Sequence, residues 1–379
     1  MTSLPQNGHN HNGTIPSHHK AIVYDNPGHI STAITTIDTP KPGVGEILVQ
    51  LTHSGVCSSD HGIMTNSFGF PPTAEGQVGG HEGVGRIVAF GPAGAEDVKS
   101  LKEGDRVGIK WVAGICGTCL PCLSGRDALC QSVKISGFYT PGTFQQYVLA
   151  PASYVTPIPD EVPSELAAPL LCGGVTVYAA LKKSGAQPGD FVVIPGAGGG
   201  LGHLAVQIAG RGMGFRVIGI DSGPKEAFVK SLGAEVFFDI NKYNTNEDWT
   251  KLAVDVKAAT RPRGTGAAAV IVCAGSNAAY AQALQFLGFG GTLVCVGIPE
   301  GKGVPVGGAF PGALIAQELR IIGSAVGNRK EAIEVLEMAA RGVVKTHVTL
   351  EPMSKLTEVF EKMERMELQG RVVIDLARE

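Results

Sequence analysis

The sequence predicts an α/β protein in which a β-rich domain comes first and a doubly wound parallel sheet second. Three observations carry this. Residues 20–54 and 83–112 read as short strands of period-2 character, broken by closely spaced Gly and Pro. Residues 189–213 give a turn, the strand FVVI, the glycine turn GAGGGLG and the helical run HLAVQIAGRGM. Strand-like and helix-like segments then alternate to about residue 324. At 379 residues the chain has the length of two domains of ordinary size.

In chain order, AIVYDNPG and STAITTI precede a Pro-Lys-Pro-Gly turn and the apolar strand EILVQLTHSG, which ends near Thr52. HEGVGRIVAFG resumes as a strand near Gly83, EGDRVGIKWV as another, and TPGTFQQYVLAPAS as a third. In LAAPLLCGGVTVYAAL, Cys172 and two glycines are followed by an apolar helical run through Tyr178 and Leu181. After the glycine turn come the strand FRVIGID, a strand at 268–273, the helix AAYAQALQFLG, and strands at 292–296 and 319–324. Cys273 and Cys295 fall inside these apolar strands as packing residues. A helix runs from Lys330 to about Ala340. In a second, LTEVFEKMERM, Leu356, Val359, Phe360 and Met363 form one apolar stripe that faces the core. Arg371 opens a last strand, and the final 50 or so residues return to the first domain.

Net charge is -3 and charged residues make up 17%, so no basic field invites nucleic acid. No apolar run reaches the roughly 18 residues of a membrane span. The eight cysteines follow no signal peptide, and a chain of this size needs no disulfide staples; a reducing, cytoplasmic setting with thiolates as metal ligands is expected. Residues 1–19 are polar, with His9, His11, His18 and His19 and no arginine, which predicts a flexible arm rather than a presequence.

The chemistry centres on residues 54–85, which open with SGVCSSD and close with GGHEGVG. Cys57 and His81 are a soft thiolate and an imidazole, with Asp60 and Glu82 beside them; this mixture suits zinc with an open coordination position. Cys172, just ahead of the nucleotide signature, supplies the third ligand, completing a set of two cysteines and one histidine. Such a zinc acts as a Lewis acid on an alcohol oxygen, and a nicotinamide alongside accepts the hydride. Cys116, Cys119, Cys122 and Cys130 lie within fifteen residues and can close a tetrahedron on one ion, a structural zinc site. An iron–sulfur cluster is the rival, but the run lacks the repeated short spacing and the Pro after the last cysteine.

In the glycine turn, Gly196, Gly198, Gly199, Gly200, Leu201 and Gly202 stand where a helix amino terminus receives a pyrophosphate, although the last glycine falls one residue later than in G-x-G-x-x-G. Asp221 ends the next strand, 19 residues after Gly202. A carboxylate there accepts both hydroxyls of an adenosine ribose and repels a 2'-phosphate, which argues for NAD; Lys225 is a candidate second ribose contact.

With these residues in place, the chain resembles the zinc-dependent medium-chain alcohol dehydrogenases, closest to the tetrameric yeast and fungal ethanol dehydrogenases. The likeness runs from about Lys20 onward and rests on SGVCSSD, VGGHEGVG, GIKWVAGICGTC, GFYTPGTFQQY, APLLCGGVTVY, SAVGNR, ARGVVK and GRVVIDL. It implies two zinc ions per chain, NAD, a homotetramer, and a GroES-like catalytic domain (20–173 and 326–379, with a structural-zinc lobe at about 111–131) interrupted by a Rossmann cofactor domain (174–325). It also implies roles: Cys57, His81 and Cys172 on the catalytic zinc, Glu82 behind it, and Asp60 on the other nitrogen of His81. Ser59 would take the alcohol proton. The family's next relay residue, a histidine, falls on Gly62, so either water or the adjacent His61 would continue the path. Ser58 stands where relatives place a cationic residue near the pyrophosphate, which leaves Arg371 as the matching phosphate contact. Thr176 and Leu201 resemble residues beside the nicotinamide, and the backbones of Val296, Ser324 and Val326 those that hold its carboxamide. Trp111, with Phe68 or Phe70, resembles the rings that narrow the pocket to short primary alcohols. Dehydrogenases of polyols, secondary or aromatic alcohols are the nearest alternatives. A zinc-free reductase would have no use for Cys57 and Cys172, nor a mere binding protein for Ser59.

Overall fold

The computed structural model describes residues 14–69, 71–92, 100–243, 245–261, 264–299 and 303–379; Phe70, and His9 and His11 of the amino-terminal arm, lie outside them. The long strand Glu46–Val56 is the axis of the first body. It pairs antiparallel with Gly83–Phe90, Tyr147–Pro151 and Arg371–Asp375 in a seven-stranded sheet. Its apolar residues Ile47, Val49, Leu51 and Val56 enter a core with Phe144, Val148 and Phe360. Register places the site: Ser54 pairs with Gly83, so three residues onward on one strand and two back on the other the chain brings Cys57 to His81.

A three-stranded sheet, Ala33–Asp38, His18–Tyr24 and Gln77–Val78, lies beside it. This corrects the extent of the arm, because His18 and His19 are strand residues. Alternation in HHKAIVY buries His19, whose ring nitrogens meet Thr39 and Gln145 at 3.0 Å each.

The second body is a six-stranded parallel sheet. In spatial order its strands are Val236–Asp239, Arg216–Asp221, Phe191–Pro195, Ala267–Val272, Leu287–Cys295 and Arg320–Gly323. Strand order reverses between Phe191–Pro195 and Ala267–Val272, and the crevice beyond their carboxyl ends is where such sheets bind ligands. Both faces are covered, so the central strands Phe191–Pro195 and Ala267–Val272 are apolar throughout. Val192 and Ile194 join one core, Phe191 and Val193 the opposite one. Cys273 lies one residue past its strand and Cys295 is the last residue of its own; both are partly buried and pack against the cores of the sheet, as expected.

Two helices join the bodies. Gly173–Lys183 packs against Arg329–Ala340, and both enter the core of the nucleotide sheet. From there Val348–Pro352 and Arg371–Asp375 pair in parallel and return to the first sheet. Between them, the helix Leu356–Glu364 buries Leu356, Val359 and Phe360 in the first core. Among the described residues no single helix is long and apolar enough to cross a membrane.

Candidate active site

Cys57 leaves the strand Glu46–Val56 and caps the helix Ser58–Met64. Its N–H donates to Asp60 Oδ2 at 2.9 Å, and Asp60 Oδ1 lies 2.7 Å from His81 Nδ1. Asp60 therefore locks the helix to the imidazole and leaves Nε2 for another partner. That atom is buried and, among the described residues, has no hydrogen-bond partner. The ligand atoms of Cys57, His81, Glu82 and Cys172 all lie within 4.8 Å of one another. The two sulfurs stand 4.0 Å apart, far beyond a disulfide bond.

Electrostatics match a cation here. Sharing a proton with Cys172 holds the Cys57 thiol well below its usual range and pushes Cys172 well above its own. Burial lowers His81, yet the Asp60 charge and hydrogen bond outweigh it and hold the imidazole well above its ordinary value. An orphaned buried nitrogen beside two sulfurs is what a zinc ion satisfies, so the residues fit the metal.

Behind this set lies Glu82, fully buried, with Oε1 accepting from Arg371 Nη2 and Oε2 unpartnered. Burial pushes its carboxyl up to about 7 despite the guanidinium. Gly55 makes room, since a Cβ there would stand 1.9 Å from Glu82 Oε2. The Arg371 side chain also runs beneath the glycine loop, its Cδ 3.1 Å from where a Cβ on Gly200 would be. One arginine thus touches both the nucleotide loop and the acid behind the metal set. The resemblance assigns Arg371 to a cofactor phosphate; neither its contact with the loop nor its pairing with Glu82 is read from the sequence.

The glycine loop accounts for its own irregular spacing. Gly196 has φ +78°, and a Cβ on Gly202 would lie 2.0 Å from Gly196 O. Gly202 is therefore the close-packing glycine despite arriving one residue late. Asp221 sits at the loop mouth. It accepts Gly198 N–H and Ser222 N–H at 2.8 Å each and pairs with Lys225 Nζ at 3.3 Å. Leu201 approaches Gly173, beside Cys172, and Thr176 lies buried one helical turn on. Val296 and Ser324 line a cavity of about 970 Å³ at the carboxyl ends of the strands, with Cys295, Lys183 and Tyr280. Val326 has φ +35°, an unusual conformation for a β-branched residue and a form of strain that clusters at ligand sites.

Trp111 meets the His81 ring edge-on at 4.9 Å, so a bulky ring does stand beside the metal set. Phe68 packs on Gly62. Its ring atoms lie 2.6–2.7 Å from where a Cβ on Gly62 would be, in a cluster with Thr73 and Phe138. Phe68 thus occupies the space that a side chain at position 62 would need, and the glycine is what admits it. His61 is buried, its ring 6.3 Å from Phe360 in the core of the first body. Ser59 is half-buried on the first turn after Cys57, and Ser58 is exposed.

The second cysteine set folds around the helix Leu120–Leu123. Its sulfurs approach at 3.4 Å (Cys119–Cys122), 3.6 Å (Cys116–Cys130) and 4.0 Å (Cys116–Cys122), spacings for four ligands on one ion and too long for disulfides.

A dinucleotide sheet and a β-rich body, with two cysteines and a histidine gathered between them and a closed four-cysteine lobe, define the class of zinc-binding dehydrogenases. Residues 43–160 match the alcohol dehydrogenase GroES-like domain and residues 200–341 the zinc-binding dehydrogenase domain. Alcohol dehydrogenase 2 of Emericella nidulans is 59% identical over 365 residues, covering 96% of this chain and 99% of that one. Alcohol dehydrogenase of Schizosaccharomyces pombe is 41% identical, covering 96% and 100%. Among solved structures, acetophenone reductase from Geotrichum candidum in complex with NAD is 29% identical, with a TM-score of 0.81 and coverage of 96% and 99%. The chain belongs to the zinc-dependent medium-chain alcohol dehydrogenase family.

Proposed function

We propose that this chain catalyses reversible hydride transfer between short primary alcohols and NAD. The observation that carries the reading is the buried Cys57–His81–Cys172 set, with its orphaned Nε2, tied to the glycine loop by the Arg371 side chain that also meets Glu82. Zinc held there supplies a Lewis acid that lowers the pKa of an alcohol, and NAD supplies the hydride acceptor. Asp60 fixes the His81 tautomer, and Glu82 backs the ligands with a carboxylate poised near neutrality. Ser59 takes the alcohol proton. With Phe68 seated on Gly62 and His61 turned to Phe360, water carries that proton onward.

On the cofactor side, Asp221 and Lys225 hold the ribose, the glycine loop with Arg371 the pyrophosphate, and Thr176, Leu201, Val296, Ser324 and Val326 the nicotinamide. The second zinc, on Cys116, Cys119, Cys122 and Cys130, is structural. In this reading residues 174–325 form the cofactor domain, inserted between 20–173 and 326–379 of the catalytic domain. Trp111 supports a narrow pocket. Turnover should therefore fall in the order ethanol, 2-propanol, cinnamyl alcohol, with NAD preferred over NADP; a lead for 2-propanol or cinnamyl alcohol would refute the primary-alcohol reading.

The chain works in the cytoplasm as a homotetramer. In support, Phe289, Phe310 and Ile315 are 70–77% exposed around the edge strand Arg320–Gly323, an apolar sheet edge suited to a second copy. Sedimentation at micromolar concentration should give four times 39.3 kDa, and a monomer would exclude the assembly.

A further inference from the structure

The helix that leaves the glycine loop, Gly202–Gln207, is stitched to the crossing segment 345–347 by two side chains one turn apart. Gln207 is buried; its Nε2 donates to Lys345 O and its Oε1 accepts Lys345 N–H, both at 3.0 Å. His203 is fully buried, with Nδ1 2.9 Å from Gly199 O and Nε2 3.3 Å from the backbone nitrogen of His347. A carbonyl only accepts and an N–H only donates, so these neighbours place the proton on Nδ1 and leave Nε2 as acceptor. Burial pushes this imidazole down to about 4, which keeps it neutral, while Arg371 and His347 are the charged or titratable groups facing it.

The stitched segment leads directly to Arg371, whose N–H donates to His347 O at 2.9 Å. Gly370 permits that approach, since a Cβ there would lie 2.5 Å from the same oxygen. The glycine loop and Arg371 belong to different sheets, and this seam fixes one relative to the other.

We propose that His203 and Gln207 are positioning residues for NAD, a clamp that sets the separation of Arg371 from the glycine loop. The inference rests on reading these two features as the pyrophosphate site. Its test is NAD affinity, followed by protein fluorescence, in Gln207→Leu and His203→Asn, with zinc content and alcohol turnover measured on the same samples. The asparagine keeps a donor near the place of Nδ1 and loses the acceptor at Nε2.

The Kd for NAD should rise about tenfold in each variant, while zinc stays at the parent level and kcat changes less than about threefold. A Kd within about twofold of the parent in a folded variant overturns the clamp. Should a variant fail to fold, the parent decides: saturation with NAD should slow amide exchange at Lys345 and His347 by about tenfold, and unchanged exchange rejects the coupling. A parent that binds no NAD overturns the cofactor reading and the clamp with it; binding in the parent that the variants leave untouched overturns the clamp alone.

Discussion

Replacing His81 with alanine should lower kcat/KM with ethanol and NAD by about 10³-fold or more and leave the protein with one zinc instead of two. The effect is large because the nitrogen is not shared. Nδ1 is committed to Asp60 and Nε2 is the only one left for the metal, so nothing nearby replaces it. The substitution also strips Asp60, 1% exposed, of its imidazole partner and leaves that carboxyl with the Cys57 N–H. Burial already raises the Asp60 carboxyl, and losing the imidazole removes the charge and hydrogen bond that hold it down, so its pKa should rise further. Zinc by elemental analysis, NAD binding and turnover on one preparation check the expectation. Retained NAD binding with one zinc and no turnover supports it, and full turnover with a single zinc would remove the catalytic role of the set.

The other large effect is on stability. Cys119→Ser should lose the second zinc, lower the melting temperature by about 10 °C and expose residues 116–130 to limited proteolysis. The lobe has little apolar interior of its own, with Leu120, Leu123 and Leu129 being 56–76% exposed. What holds it is the ion, and what it holds lies elsewhere. Asp127 accepts from Tyr154 Oη at 2.7 Å and from the Arg329 N–H at 3.1 Å, while Asn328 Nδ2 reaches Gly125 O. These contacts anchor the start of Arg329–Ala340, the helix that packs on Gly173–Lys183 between the bodies. Melting should therefore spread from the lobe to the seam. An unchanged melting curve with one zinc lost would show the lobe to be dispensable.

Much of this is legible in the chain because the signals are local. The strand–glycine–helix order, the acid ending the next strand and the cysteine spacing each lie within a few tens of residues, and each maps onto an element with fixed geometry. Contacts with no local trace are not legible. Arg371 reaches Glu82 across 289 positions, and only the pairing of Arg371–Asp375 with Glu46–Val56 brings them together. The packing of the Phe68 ring on Gly62 is likewise not read from the sequence. Polarity alone assigns His18 and His19 to the arm, whereas the alternation in HHKAIVY, which separates their outward and inward faces, is that of the strand.

The sheet that carries the metal set has a further consequence, in the order of synthesis. Glu46–Val56 is made early, yet its neighbour Arg371–Asp375 is made more than 300 residues later. The nucleotide sheet, by contrast, has all its strands between residues 191 and 323. A growing chain can thus complete the second body while the first still presents an unpaired strand edge, the kind of edge that recruits other chains. The candidate metal ligands at positions 57, 81 and 172 are then all present before the strand bearing Arg371 is made. The guanidinium that meets Glu82 is accordingly the last of these groups to be synthesised, and its strand joins Glu46–Val56 to Val348–Pro352 in the first sheet.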